Sequence, residues 1–272
     1  MIVDALEPGQ QAVETVTVGV TNAVDNAPAW TQRWETQQAG HVPGREEVFA
    51  LMLDVVERLV GEPARVLDLG CGPGSLAGRV AHRFPDAEVV GVDADPVMLE
   101  LGRRTLGDRV RWVQADLSED GWADGVGTPA SGVDAVVSST ALHWLPADRL
   151  GGLTRTLAGL LRPGGVFLDF DTLLADDRAT PRLAAMTAEL RRERTDVRTG
   201  APGFEDFAAW WEAAAADPGL APQFAEREAN RPAGGHGGSS LVTWTDALRA
   251  AGFAEVDTVT QLLDRRLLAA VR

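Results

Sequence analysis

Apolar residues recur along this chain with two different periods. Between residues 46 and 60, Val48, Leu51, Met52, Val55 and Leu59 fall at three- and four-residue spacing. That spacing predicts an amphipathic helix, ended by Pro63. Short continuous apolar runs follow at 65–69, 88–92, 110–114, 133–138 and 166–170. Each is bounded by turn-forming residues and reads as a buried strand. Helical spacing returns between them, over Ser75–Phe84, over a segment opened by Asp95-Pro96 and closed by Gly107, and over 147–161. Asp95-Pro96 is a good N-cap and first-turn pair, and Pro163-Gly164-Gly165 is a stop. Strands alternating with helices predict a parallel sheet in an α/β fold.

The flanks break this rhythm. Residues 1–25 are polar and acidic without a clear period, and read as a frayed or loosely packed start. Residues 27–45 mix aromatic and polar side chains, including Trp30, Arg33, Trp34 and His41. Residues 172–240 hold helical stretches, Pro202-Gly203, Trp210-Trp211, an Ala-rich run and a glycine-rich segment around His236. This length of chain between two strands reads as a cap over a substrate. At the end, Leu241–Ala251 is helical, Gly252-Phe253 turns, and Val256–Thr260 and Arg266–Val271 suit a hairpin. The chain therefore divides into an N-terminal helical lid (1–60), a core (61–171), a helical cap (172–240) and a closing helix with two strands (241–272).

The chemistry concentrates after the first predicted strand. Residues 66–74 read Val-Leu-Asp-Leu-Gly-Cys-Gly-Pro-Gly. Alternate glycines let the backbone turn sharply and approach a ligand without a Cβ in the way. The N–H groups opening the next helix then face whatever lies over the loop. The second strand ends in Asp93, where doubly wound nucleotide folds hold a ribose diol. Position 75 is Ser, so the dinucleotide spacing Gly-x-Gly-x-x-Gly is not met. Asp68 at the mouth of the loop would repel a pyrophosphate and suit an ammonium group. A nucleoside with a cationic tail fits both ends, and S-adenosylmethionine is such a molecule.

Val-Leu-Asp-Leu-Gly-Cys-Gly-Pro-Gly with Val-Val-Gly-Val-Asp (89–93) resembles the first two motifs of the class I S-adenosylmethionine-dependent methyltransferases. The resemblance continues through Val113–Asp116, Asp134–Ser138, Leu142-His143-Trp144 and Leu161–Gly165. His143-Trp144 after the fourth strand is similar to small-molecule enzymes of the trans-aconitate type. The resemblance implies a Rossmann-like, doubly wound, mostly parallel seven-stranded sheet with an antiparallel last strand. It implies methyl transfer from S-adenosylmethionine to a small-molecule acceptor, with specialised metabolism as one setting. Donor contacts would come from Asp68, Gly70, Cys71, Gly72, Gly74, Asp93, Ala94, Met98, Asp116, Leu117 and Ser138. Asp93 would accept from the ribose hydroxyls and Asp116 from the adenine amine. Met98 would pack on the adenine or in the core. His143 and His236 are the candidate bases, His being able to take a proton near neutrality. Trp30, Trp34, Trp144, Trp210 and Trp211 would line the acceptor pocket or pack helices. Two alternatives stay open: a donor-binding protein without methyl transfer, and an NAD(P)-dependent oxidoreductase.

Composition narrows the partners. Of the 272 residues 25 are Arg and none Lys, and the net charge is −15 with no Arg cluster, which argues against nucleic acid. The absence of Tyr removes one common general base. A single cysteine, Cys71, excludes an intramolecular disulfide. No metal-ligand spacing is evident, and with no membrane-length apolar run or signal peptide a cytoplasmic location is expected; the oligomeric state, monomer or homodimer, stays open.

Overall fold

The computed structural model describes residues 26–127, 129–175, 179–230 and 240–272. The expected frayed start and His236 lie outside them.

Two helices, α1 (Ala27–His41) and α2 (Arg45–Val60), precede the sheet. The core then runs β1 (Arg65–Leu69), α3 (Ser75–Arg83), β2 (Glu88–Asp93), α4 (Pro96–Leu106), β3 (Arg111–Gln114), β4 (Val133–Ser139), α5 (Leu150–Leu160) and β5 (Leu161–Thr172). Among the described residues three helices, α6 (Pro181–Thr199), α7 (Phe207–Ala215) and α8 (Ala221–Ala229), stand between β5 and α9 (Leu241–Ala250). The chain closes with β6 (Glu255–Leu262) and β7 (Arg265–Val271).

The sheet has seven strands in the order β3-β2-β1-β4-β5-β7-β6. Pairings from β3 to β5 are parallel, and β7 runs antiparallel to both β5 and β6. The strand order reverses between β1 and β4, and ligands in such sheets bind beyond the carboxyl ends of the strands at that point. The α/β architecture and the antiparallel last strand agree with the sequence.

Each sheet face carries its own core. On one face Phe167, Leu268 and Val136 pack with Leu153 and Leu157 of α5 and Trp244 and Leu248 of α9. On the other, Leu168, Phe170 and Leu267 pack with Phe49 and Met52 of α2 and Leu76 and Val80 of α3. The alternation Phe167/Leu168 and Leu267/Leu268 is the period-two geometry of strands buried on both sides. A third core lies away from the sheet. Trp30 of α1 and Trp210, Ala214 and Leu220 of the cap pack on Val97, Met98 and Leu101 of α4.

Three elements differ from the sequence reading. Residues 27–41 form a full helix, because Ala27, Trp30 and Trp34 make a narrow apolar stripe whose partners lie far along the chain. The helix expected over 147–161 splits into a 3-10 turn, Ala147–Arg149, and α5. Strand β5 starts at Leu161, which pairs with Val133 before a register shift brings Ala135 opposite Val166. The Pro-Gly-Gly stop therefore sits inside an irregular strand start.

Candidate active site

The glycine loop joins β1 to α3 and is tied to β2. Gly70 and Cys71 donate their N–H groups to the Val92 carbonyl, at 2.8 and 3.1 Å. Gly70, Gly72 and Gly74 have φ of +65°, +54° and +85°, which side-chain-bearing residues rarely adopt. Their surroundings differ. A Cβ on Gly70 would lie 2.2 Å from the Ala141 Cβ, and one on Gly74 would lie 2.6 Å from the Trp112 ring. A Cβ on Gly72 would meet nothing within 4 Å. Close packing therefore explains the outer glycines, and of the three only Gly72 has open space where a Cβ would stand.

Asp93 closes the other side of that space. Its carboxylate accepts the Gly72 N–H at 2.7 Å and the Asp95 N–H at 2.9 Å. Burial pushes its pKa up to about 6, against the hydrogen bonds from the Asp95 and Gly72 N–H groups. Ala94 follows, partly exposed. Asp95 caps α4 and also binds Arg227 of α8 at 2.6 Å. The Arg227 guanidinium stacks 4.1 Å from the Trp211 ring centroid. Gln114 at the end of β3 donates to Glu226 of α8 at 2.9 Å. The cap thus docks beside the carboxyl ends of β2 and β3.

The remaining expected donor residues divide. Asp68 is 1% exposed and accepts the Ala77 N–H at 2.8 Å, so it caps the first turn of α3 and shows almost no surface for direct contact. Burial, with the Asp93 charge adding to it, lifts its pKa to about 8. The buried Cys71 thiol is raised well above its ordinary range by burial and by Asp93 and Asp68, which makes it a packing group. Ser138 is fully buried and donates to the Leu69 carbonyl at 2.8 Å. Asp116 accepts from the Ser118 N–H and hydroxyl at 2.8 and 2.7 Å, holding the turn after β3. Leu117 lines a cavity of about 160 Å³ beside that turn, with Trp122 and Leu153.

The tryptophan pocket is corrected. Trp30 and Trp210 are 7% and 0% exposed, and their rings meet edge to face at 5.7 Å. Trp34 and Trp211 each contact Trp210 at 5.1 Å. These four side chains join α7 to α1 in the third core; Trp30 and Trp210 are buried in it and offer no surface to an acceptor, while Trp34 and Trp211 stay partly exposed. Met98 belongs to the same core and is 3% exposed. Trp144 is different: it is half-exposed, its ring 5.2 Å from His143.

The segment after β4 carries the clearest polar geometry. Thr140 has φ of +53°, rare for a β-branched residue, and its N–H binds the Phe170 carbonyl at 2.9 Å. This turn brings His143 over the end of β5. His143 Nδ1 lies 2.7 Å from Asp171 Oδ1, and the His143 N–H donates to Asp171 Oδ2 at 3.0 Å. Thr172 donates its N–H to the same carboxylate at 2.6 Å. Asp171 is 1% exposed and the His143 side chain 30%. A buried carboxylate held by two backbone N–H groups fixes the ring and its tautomer, with Nδ1–H donating and Nε2 left as the basic nitrogen. Sequence reasoning found His143 and missed Asp171. The available signal was a second acid run at a strand end, Asp169-Phe170-Asp171.

Comparison with known proteins fits this geometry. A family profile described as a methyltransferase domain matches residues 66–165, from the glycine loop to the start of β5. The trans-aconitate 2-methyltransferase of Methylobacterium radiotolerans is 36% identical over 191 residues, covering 70% of this chain and 68% of that protein. The chain belongs to the class I S-adenosylmethionine-dependent methyltransferases. The trans-aconitate 2-methyltransferase of Streptomyces avermitilis is 37% identical over 146 residues, 51% of this chain and 50% of that protein. The match thus spans about half of that relative's length. The structure of Streptomyces venezuelae DesVI has the same fold, with a TM-score of 0.56 at 17% identity, covering 89% of this chain and 97% of that one.

The methyltransferase assignment sets the oxidoreductase alternative aside and makes S-adenosylmethionine the cofactor. The residues present suit it in chemistry: the Asp93 carboxylate can accept hydrogen bonds from a ribose diol, and Gly72 beside it presents no side chain. Among the described residues no group of three or more His, Cys, Asp or Glu side chains is placed to hold a metal ion. No helix there is long and apolar enough to cross a membrane.

Proposed function

We propose that this methyltransferase acts on a small-molecule acceptor bound beyond the carboxyl ends of β4 and β5, with His143 as proton acceptor. The observation that carries this reading is the His143–Asp171 pair. A partly exposed imidazole with Nδ1 engaged by a buried carboxylate is a base aimed by its neighbour. It stands next to the donor loop, since the would-be Cβ of Gly70 touches Ala141.

In this reading Asp93 and the backbone around Gly72 hold the nucleoside of the donor. When bound, S-adenosylmethionine supplies an electrophilic methyl group on its sulfonium. The chain aligns the acceptor atom with that methyl and removes the acceptor's proton. Alignment is worth on the order of 7–11 kcal/mol in well-oriented model systems. His143 Nε2 takes the proton from a hydroxyl or ammonium group that is a poor nucleophile while protonated, and Asp171 stabilises the imidazolium. Helices α1 and α6 are tied to each other, Arg198 of α6 donating to the Gly40 carbonyl of α1 at 2.8 Å. The net charge of −15 disfavours a polyanionic acceptor such as nucleic acid, and the named relative acts on trans-aconitate, a small molecule.

The test is label transfer from methyl-tritiated S-adenosylmethionine to a panel of small metabolites, for the wild type and His143→Gln. A labelled small product, formed at least tenfold more slowly by the variant at saturating donor, supports the reading. Label appearing only in macromolecules, or an unaffected variant rate, contradicts it.

A further inference from the structure

Arg265 opens β7 at the same end of the sheet as the His143–Asp171 pair. Its Cα lies opposite Thr172, the residue after Asp171. The side chain is partly buried, and its Nη1 is buried with no hydrogen-bond partner. Other partly or fully buried arginines in the described residues have partners: Arg45 binds Glu35, Arg79 binds Glu46, Arg162 binds Asp134, Arg227 binds Asp95, and Arg266 binds the Leu173 carbonyl. The Arg265 side chain has neither a hydrogen bond nor an ion pair there. A buried guanidinium nitrogen without a partner is costly, so the fold keeps Nη1 at a loss unless something outside the chain completes it.

Its neighbours add positive charge. Arg198 of α6 is held by the Gly40 carbonyl, and Arg191 of α6 binds Asp264 at 2.8 Å. The His41 Nε2 at the end of α1 is also buried without a partner. Burial holds His41 below its ordinary range, with the Arg265 and Arg198 charges adding to it against Asp206. Arg265 is itself lowered, by burial first and by Arg191 and Arg198, against Asp171 and Asp264. Two orphaned polar nitrogens, from α1 and β7, thus lie beneath α6, among the guanidinium groups of Arg191 and Arg198 and the carboxylates of Asp171, Asp206 and Asp264.

Resting on the acceptor cleft proposed above, we propose that Arg265, with His41 and Arg198, binds an oxyanion of the acceptor, a carboxylate or a phosphate. A guanidinium fork matches either group with paired N–H donors. The anion at this corner would fix one end of the acceptor, leaving its reacting atom by His143. The acceptor class is then a small organic acid or phosphate ester.

The experiment measures binding and melting of the full chain saturated with S-adenosylhomocysteine, with citrate, glycerol 3-phosphate or glycerol as the probe. The wild type is expected to bind citrate or glycerol 3-phosphate saturably and gain thermal stability, with no response to glycerol. Which of the two binds tells carboxylate from phosphate. Arg265→Gln should weaken that binding at least tenfold and leave S-adenosylhomocysteine affinity within twofold. Its melting temperature without anion should equal or exceed the wild type's, because an unpaired buried charge has gone. Arg265→Lys should keep part of the anion response. No anion binding by the wild type, equal binding by Arg265→Gln, or a melting temperature lowered in step with every ligand overturns the proposal. Methyl transfer to a neutral acceptor by the wild type would overturn this site and leave the proposed function standing.

Discussion

Replacing Asp93 with Asn separates donor binding from stability. The wild-type carboxylate has its pKa raised from 3.8 to about 6. At about 1.4 kcal/mol per unit, that shift means ionised Asp93 costs the native state about 3 kcal/mol. The sign follows from the raised value: this contribution to stability is fully present below about pH 4 and lost as pH rises through 6. At pH 7.5 Asp93→Asn removes the cost. It also leaves either the Gly72 or the Asp95 N–H facing an amide NH₂, a loss of about 1–3 kcal/mol. The two terms nearly cancel, so the melting temperature is expected to move by less than about 5 °C. Donor affinity has no such compensation. Losing charge-assisted acceptance from the ribose costs about 1.5–3 kcal/mol, a Kd for S-adenosylhomocysteine raised about 10- to 150-fold. In the wild type the same Kd should rise as pH falls through 6, as the carboxylate takes up a proton. Calorimetric titration between pH 5 and 8 measures both. A variant Kd within threefold of the wild type, or a Kd lost together with the cooperative melt, refutes the reasoning.

Gly72→Ala should raise the donor Kd at least tenfold with about 1 kcal/mol of strain at φ +54°. Gly70→Ala should instead lower the melting temperature, because its Cβ would lie 2.2 Å from Ala141; equal effects on Kd and melting in both variants would contradict this. Asp171→Asn should lower kcat at least tenfold and leave donor Kd unchanged, as stopped-time label transfer and calorimetry will read. Trp210→Ala should cost about 3–5 kcal/mol of stability as a core truncation, read by denaturant melts. An unchanged melt would return Trp210 to the acceptor pocket.

The sheet was legible because its strands are continuous apolar runs and its caps are local. Asp95-Pro96, Gly107 and the alternate glycines each announce an element from a few adjacent residues. The third core was not legible. Trp30 and Trp210 meet across 180 positions, and nothing local tells a tryptophan in a helical core from one in a pocket. The site divides the same way. Asp93 and Gly72 follow from position at a strand end and in a loop. Asp171 and Arg265 acquire meaning only when β7 returns antiparallel beside β5, a long-range pairing that sets Thr172 opposite Arg265. Asp68 shows the opposite error: its place at the mouth of the loop is real, and its carboxyl is spent on Ala77.

The most direct test is a crystal structure of the full chain with S-adenosylhomocysteine. The account predicts ribose hydroxyls within hydrogen-bond distance of Asp93, the ligand backbone passing over Gly72, and the sulfur facing the side of the cleft where His143 meets Asp171. A ribose bound away from Asp93, or a sulfur separated from His143 by the 140–144 turn, would contradict it.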